Sequence, residues 1–106
     1  MNIHAQDLQR ATGPASVLLK ALANERRLML LCQLAEGEKS VGELTHLIGL
    51  AQSAVSQHLA RLRHDGLVKT RRESQTIYYA LSDERAGQVI DLLYRMYCAP
   101  RAKPPR

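Results

Sequence analysis

The chain has no tryptophan and no phenylalanine, and only four tyrosines among its 106 residues. A core built from it must be aliphatic, which suits interlocking helices better than an aromatic-rich β-sandwich. No stretch reaches the 18 or more apolar residues of a membrane span, and no membrane partner is expected. The opening MNIHAQDLQR lacks the charged start and apolar centre of a secretory signal, so the expected compartment is the cytoplasm. There are only two cysteines, Cys32 and Cys98. In a reducing compartment a permanent disulfide between them is not expected, and they are either inert buried thiols or redox-active ones. No CxxC pair, phosphate loop or nucleophile–base–acid grouping occurs, and so short a chain has little material to enclose a substrate; an enzyme is not expected.

What remains is enough for one domain. Leu, Ile and Val together supply 26 of the 106 residues, which excludes global disorder. Fifteen Lys and Arg against ten Asp and Glu leave a net charge of +5. A small basic domain favours a polyanion, most often nucleic acid, through counterion release, although the same charge also serves solubility.

The apolar periodicity divides the chain into four helices, a hairpin and a last helix. Residues 1–12 form a variable N-terminal segment, 13–98 the folded domain and 99–106 a basic, proline-rich mobile tail. Thr12-Gly13-Pro14 reads as a helix entry with Pro14 at the first helical position, followed by the apolar residues Val17, Leu18, Ala21 and Leu22. Asn24 caps a second helix whose stripe is Leu28, Leu31, Cys32 and Ala35 and which Gly37 closes. Ser40 and Glu43 have capping-box spacing and open a short helix that ends at Gly49.

Only two residues later comes a helix with Val55, Leu59 and Leu62 on one side, stopping at Asp65-Gly66. The period then becomes two. Val68, Thr70 and Arg72 point one way, Lys69 and Arg71 the other; Glu73-Ser74-Gln75 turns; and Ile77, Tyr79 and Leu81 share a face. Ser82-Asp83 caps the last helix, whose inward positions are Ala86, Val89, Ile90, Leu93, Met96 and Tyr97 and which ends near Cys98-Ala99-Pro100.

Two short helices joined by a glycine turn and followed by a hairpin describe a winged helix-turn-helix, mainly α with a small β-hairpin. Holding Val55, Leu59 and Leu62 to the core leaves Gln52, Ser53, Ser56, Gln57 and, at the margin, His58 outward, where amides and hydroxyls can hydrogen-bond base edges in a major groove. Arg61, Arg63, Lys69, Arg71 and Arg72 put five cations within twelve residues, suited to phosphates of double-stranded DNA. A winged helix that docks proteins is the competing reading, which a steep salt dependence on duplex DNA would exclude.

The stretches LLKALANERRL, SQHLARLRHDGLV and QTIYYAL, within a span from about Leu19 to Cys98, resemble the ArsR/SmtB family of dimeric winged-helix repressors. The resemblance implies a homodimer formed largely by the first and last helices. It also implies operator contacts from Gln52, Ser53, Ser56, Gln57 and His58, a wing from Lys69 to Ile77, and an inducer that weakens binding. Where metal-sensing members of the family have a Cys-Val-Cys-Asp-Leu box, this chain reads Ser40-Val41-Gly42-Glu43-Leu44. Its last helix has no histidine, and His4, His46, His58 and His64 show no ligand spacing. No metal or other cofactor is expected.

The placement of Cys32 in LLCQL and of Cys98 in RMYC is similar to the sulfide-responsive SqrR/BigR/HlyU subgroup. That similarity implies a cysteine pair that reactive sulfur species join through an intrachain polysulfide bridge. Beside Leu28 and Leu31, Cys32 is expected to ionise poorly. A general dithiol sensor of peroxide or disulfide stress is the alternative.

Overall fold

Local hydrogen bonding sets most of the boundaries in the computed structural model, which describes residues 1–98. The Asn24 side chain accepts from the Arg27 backbone at 3.1 Å and opens α3 (Glu25–Ala35). The Arg27 guanidinium turns back to the carbonyls of Ala21 (2.8 Å) and Lys20 (2.9 Å), satisfying the end of α2 (Thr12–Leu22) and fixing the α2–α3 corner. Ser40 and Glu43 form a reciprocal capping box at α4 (Val41–Ile48), which ends on Gly49 with φ 76°.

α5 (Gln52–His64) closes on Gly66, φ 78°. Gly66 donates to the Arg63 carbonyl (3.0 Å) and Leu67 to that of Leu62 (2.9 Å), a Schellman ending that seats two buried leucines together. It aims the chain directly into β2 (Val68–Glu73). β3 (Thr76–Leu81) returns antiparallel to it, and Asp83 then caps α6 (Glu84–Tyr97) by accepting from the Arg85 backbone at 2.8 Å.

The opening residues, mixed in composition and expected to be helical in part, hold a short, wholly exposed helix α1 (Ala5–Arg10), favoured by its helix-forming residues and an Asp7–Arg10 ion pair at 3.0 Å. Other details differ from the sequence expectations. α2 begins at Thr12, so Pro14 is its third residue rather than its first; a proline is tolerated there because the first turn's N–H groups lack helical partners. The hairpin turn is only Ser74-Gln75, with Glu73 paired to Thr76 and Ser74 at φ 59°.

A third strand, β1 (Lys39–Ser40), pairs with the far side of β3 to give the sheet order β1-β3-β2. Two residues are too few to display a period, so this strand exists only through its partner. The proposed tail, 99–106, and the Ala99-Pro100 helix end lie outside the described residues.

The core is aliphatic throughout: Leu30, Leu31 and Leu34 of α3, Leu44 and Ile48 of α4, Val55, Leu59 and Leu62 of α5, with Leu67, Val68, Ala86 and Ile90. Tyr79 and Leu81 pack against it from β3. α6 joins the core through its first half only. Ala86 and Ile90 are buried and Val89 and Leu93 half-buried, whereas Met96 and Tyr97, expected inward, are 52% and 78% exposed. The helix outruns the core, so its apolar stripe continues where nothing in this protomer covers it. On α3 the buried stripe is Leu30, Leu31 and Leu34; Cys32 and Ala35 stand outside it, exposed.

Candidate DNA interface and thiol cleft

α4 and α5 meet through the left-handed Gly49, and the three apolar residues of α5 are wholly buried. This leaves Gln52, Ser53, Ser56 and Gln57 exposed along one side of α5 from its first turn, with His58 half-buried at the edge. The outward set is free of carboxylates, and its amides and hydroxyls present both donors and acceptors. Farther along, Arg61 is tied to Asp65 at 2.9 Å while Arg63 is exposed, with no ion pair among the described residues.

In the hairpin the observed register puts Val68, Thr70 and Arg72 on the face that packs toward the core, and Lys69, Arg71 and Glu73 on the other. Lys69 and Arg72 are exposed and make no ion pair among the described residues. Arg71 is differently placed. Its guanidinium donates to both oxygens of Glu38 (2.8 and 3.0 Å) and to Glu73 (3.0 Å), and lies 4.6 Å from the centre of the Tyr78 ring. The hydrogen bonds from Arg71 hold the Glu38 carboxyl below the usual carboxylate range, and the carboxylates in turn raise the pKa of Arg71. Glu38, Glu73 and Tyr78 were absent from the sequence-predicted set. Strand periodicity shows that Glu73 shares the Arg71 face, but no local signal links Arg71 to Glu38, 33 residues away.

The two cysteines come together on the other side of the molecule. Both are free, and both are exposed in the protomer. Cys32 on α3 and Cys98 at the C-terminal cap of α6 line one cleft of about 570 Å³, walled mainly by Leu28, Ile90, Leu93, Tyr94 and Tyr97. The Cys98 backbone N–H donates to the Tyr94 carbonyl at 2.8 Å, so its position is set by the last helical turn. Partial burial pushes the Cys32 thiol up, and proximity to Cys98 pushes it further, since two thiolates in one cleft repel. The poor ionisation expected of Cys32 thus has a geometric cause in the shared cleft.

Among the described residues, no three His, Cys, Asp or Glu side chains gather as metal ligands would, and no helix is long and apolar enough to cross a membrane.

Residues 24–70, from the Asn24 cap into β2, match the model of the bacterial regulatory proteins of the arsR family. Over 96 residues the chain is 53% identical to the transcriptional activator HlyU of Vibrio cholerae, covering 91% of this chain and 89% of that protein. The structure titled reduced HlyU from V. cholerae superposes with a TM-score of 0.84 at 54% identity, over 89% of this chain and 99% of that one. The transcriptional repressor BigR from Xylella fastidiosa gives a TM-score of 0.87 at 42% identity, over 92% and 100%. A homodimeric winged helix-turn-helix DNA-binding domain from Mycobacterium bovis, Mb0332, gives 0.74 at 30% identity, over 91% and 89%. With the helix-turn-helix, the wing and this degree of identity over nearly its whole described length, the chain belongs to the arsR family of bacterial regulatory proteins and is a transcriptional regulator of the HlyU and BigR type, not an enzyme.

Proposed function

We propose that this chain is a thiol-switched repressor, a homodimer that holds operator DNA while Cys32 and Cys98 are reduced and releases it when reactive sulfur species bridge them. The observation that carries the reading is the shared cleft: two free thiols, 66 positions apart in sequence, line one apolar recess between α3 and α6. A plain disulfide requires Cα atoms within roughly 7 Å, and added sulfur atoms relax that requirement. The relative solved in a form named as reduced supports a redox-dependent state. Two copies are supported by the homodimeric relative and by the uncovered apolar residues Leu92, Met96 and Tyr97 of α6.

The chemistry balances with a persulfide, RSSH, as oxidant. A cysteine thiolate takes the outer sulfur and expels RS⁻, which leaves as RSH, and the cysteine becomes a persulfide. The second cysteine takes a sulfur in the same way; the terminal sulfur of one persulfide then attacks the cysteine-bound sulfur of the other and expels hydrosulfide as H₂S, which leaves a trisulfide bridge with one added sulfur. The protein sulfurs are oxidised and the departing sulfur is reduced; further transfers before closure lengthen the bridge. On the DNA side, α5 enters the major groove with Gln52, Ser53, Ser56, Gln57 and His58 toward the bases, while Arg61, Arg63, Lys69 and Arg72 approach phosphates. An occupied operator that overlaps a promoter excludes polymerase, so release derepresses. The reducing cytoplasm keeps the resting thiols free.

Titration of a selected operator duplex before and after persulfide, with the protein mass read in parallel, tests the reading. Bridging weakens binding by roughly 5- to 150-fold, the range of typical coupling between sites. Cys32→Ser and Cys98→Ser each bind as the reduced parent does and stay bound after treatment. Release of either variant would sink the switch, and a mass loss of two hydrogens without added sulfur would assign the site to general dithiol oxidation.

A further inference from the structure

The sequence places Arg71 among the wing cations, yet its surroundings are unlike those of Lys69 and Arg72. The Arg71 side chain starts on β2, crosses the ring of Tyr78 on the central strand and ends on Glu38, the residue just ahead of β1. Register explains the alignment: Arg71 pairs directly with Tyr78, and Tyr78 pairs in turn with Ser40, so all three strands are spanned in one line. The Glu38 contact is bidentate, the geometry for which a planar guanidinium is suited and an ammonium is not. Glu73 occupies a further donor from the same strand. One cation therefore faces two carboxylates. Turning Arg71 to a phosphate would break three charge-assisted hydrogen bonds and leave Glu38 and Glu73 facing another anion.

We propose that Arg71 is a positioning residue of the wing rather than a phosphate ligand: its guanidinium ties edge strand β2 across Tyr78 to Glu38 and so sets the pitch of the hairpin against α5. Glu38 lies between α3 and α4, on the segment that leads into the helix-turn-helix. Backbone pairing joins the segment ahead of α4 to β3 alone; the tie adds a side-chain link from that segment to the outer strand β2. The proposal rests on the DNA-binding reading for its consequence but not for the tie itself.

The experiment has two arms. In the free protein, amide hydrogen exchange across 68–73 and 76–81 quickens in Glu38→Gln; unchanged exchange there overturns the tie whether or not DNA is bound. In the second arm, binding to a duplex selected from a randomised pool is followed against salt. Each lost phosphate contact lowers the log–log slope by about 0.9, or about 1.8 for the two wings of a dimer. Arg72→Gln calibrates that loss. Arg71→Gln and Arg71→Lys leave the slope at the parent value but weaken binding roughly three- to tenfold, as does Glu38→Gln, in the range of coupling between contacting residues.

The Glu38→Arg, Arg71→Glu exchange recovers part of the loss. A slope drop of about 1.8 in Arg71→Gln, or tighter binding by Glu38→Gln as simple charge removal predicts, overturns the proposal. So does full binding by Arg71→Lys, which keeps the charge and loses the fork. Should the parent bind no duplex in a salt-dependent way, the DNA reading fails while the exchange arm still decides the tie.

Discussion

α5 and α6 are nearly equal in length, 13 and 14 residues, but they are held to the molecule in opposite ways. α5 buries Val55, Leu59 and Leu62 completely, ends in a Schellman turn, and runs straight into the sheet. α6 buries Ala86 and Ile90 in its first half, and its last turns carry exposed Leu92, Tyr94, Met96 and Tyr97 before reaching Cys98. The contrast teaches that one small core fixes α5 along its whole length but α6 only through its first half, and leaves the apolar end of α6 without cover in the protomer.

Core truncation is the strongest way to break this contrast. Leu59→Ala on α5 is expected to cost about 2–5 kcal/mol in urea unfolding, whereas Cys98→Ser at the end of α6 stays within about 0.5 kcal/mol. Equal losses would mean that the end of α6 is as firmly built as α5.

A smaller effect sharpens the comparison at the entry to α4. Ser40→Ala removes one side of the capping box and is expected to cost about 1 kcal/mol, with a lower melting temperature. Its partner sets a pH dependence. Hydrogen bonds from the Ser40 backbone and then its hydroxyl hold the Glu43 carboxyl below the usual carboxylate range. Its stabilisation is therefore complete above the unfolded-state value and is lost as pH falls through the depressed folded-state value. The melting-temperature gap between parent and Glu43→Gln should narrow on that acid side; a gap that widens instead would contradict the cap.

The smallest effect lies in the cleft. The pH midpoint for alkylation of Cys32 should stand above that of an ordinary thiol and fall when Cys98 is replaced by serine, because one of its two causes is removed. A midpoint indifferent to Cys98→Ser would separate the two thiols in space.

Features written in local spacing were legible before any coordinates. Asn24, the Ser40–Glu43 pair, Gly49, the Asp65-Gly66 stop and Asp83 each act within one helical turn, and each does what its spacing implies. The alternation in 68–72 and 77–81 likewise gives the observed strand faces. Tertiary consequences were not legible. β1 is two residues long and is defined by Tyr78 and Tyr79 across the sheet. The stripe on α6 predicts burial for Met96 and Tyr97 because periodicity records that a face is apolar, not where the protomer's core ends. Arg71 reads as one more wing cation until Glu38 is brought beside it from 33 residues away. That Cys32 and Cys98 line one cleft is likewise a product of helix packing, which spacing along the chain does not record.

The shortage of aromatic residues has a practical consequence. With no tryptophan and only four tyrosines, the protein's ultraviolet emission comes from Tyr78 and Tyr79 in the sheet and from Tyr94 and Tyr97 in the cleft wall. Half of the emitters therefore stand next to the two sulfurs, and quenching of that light offers a label-free clock for whatever happens to them.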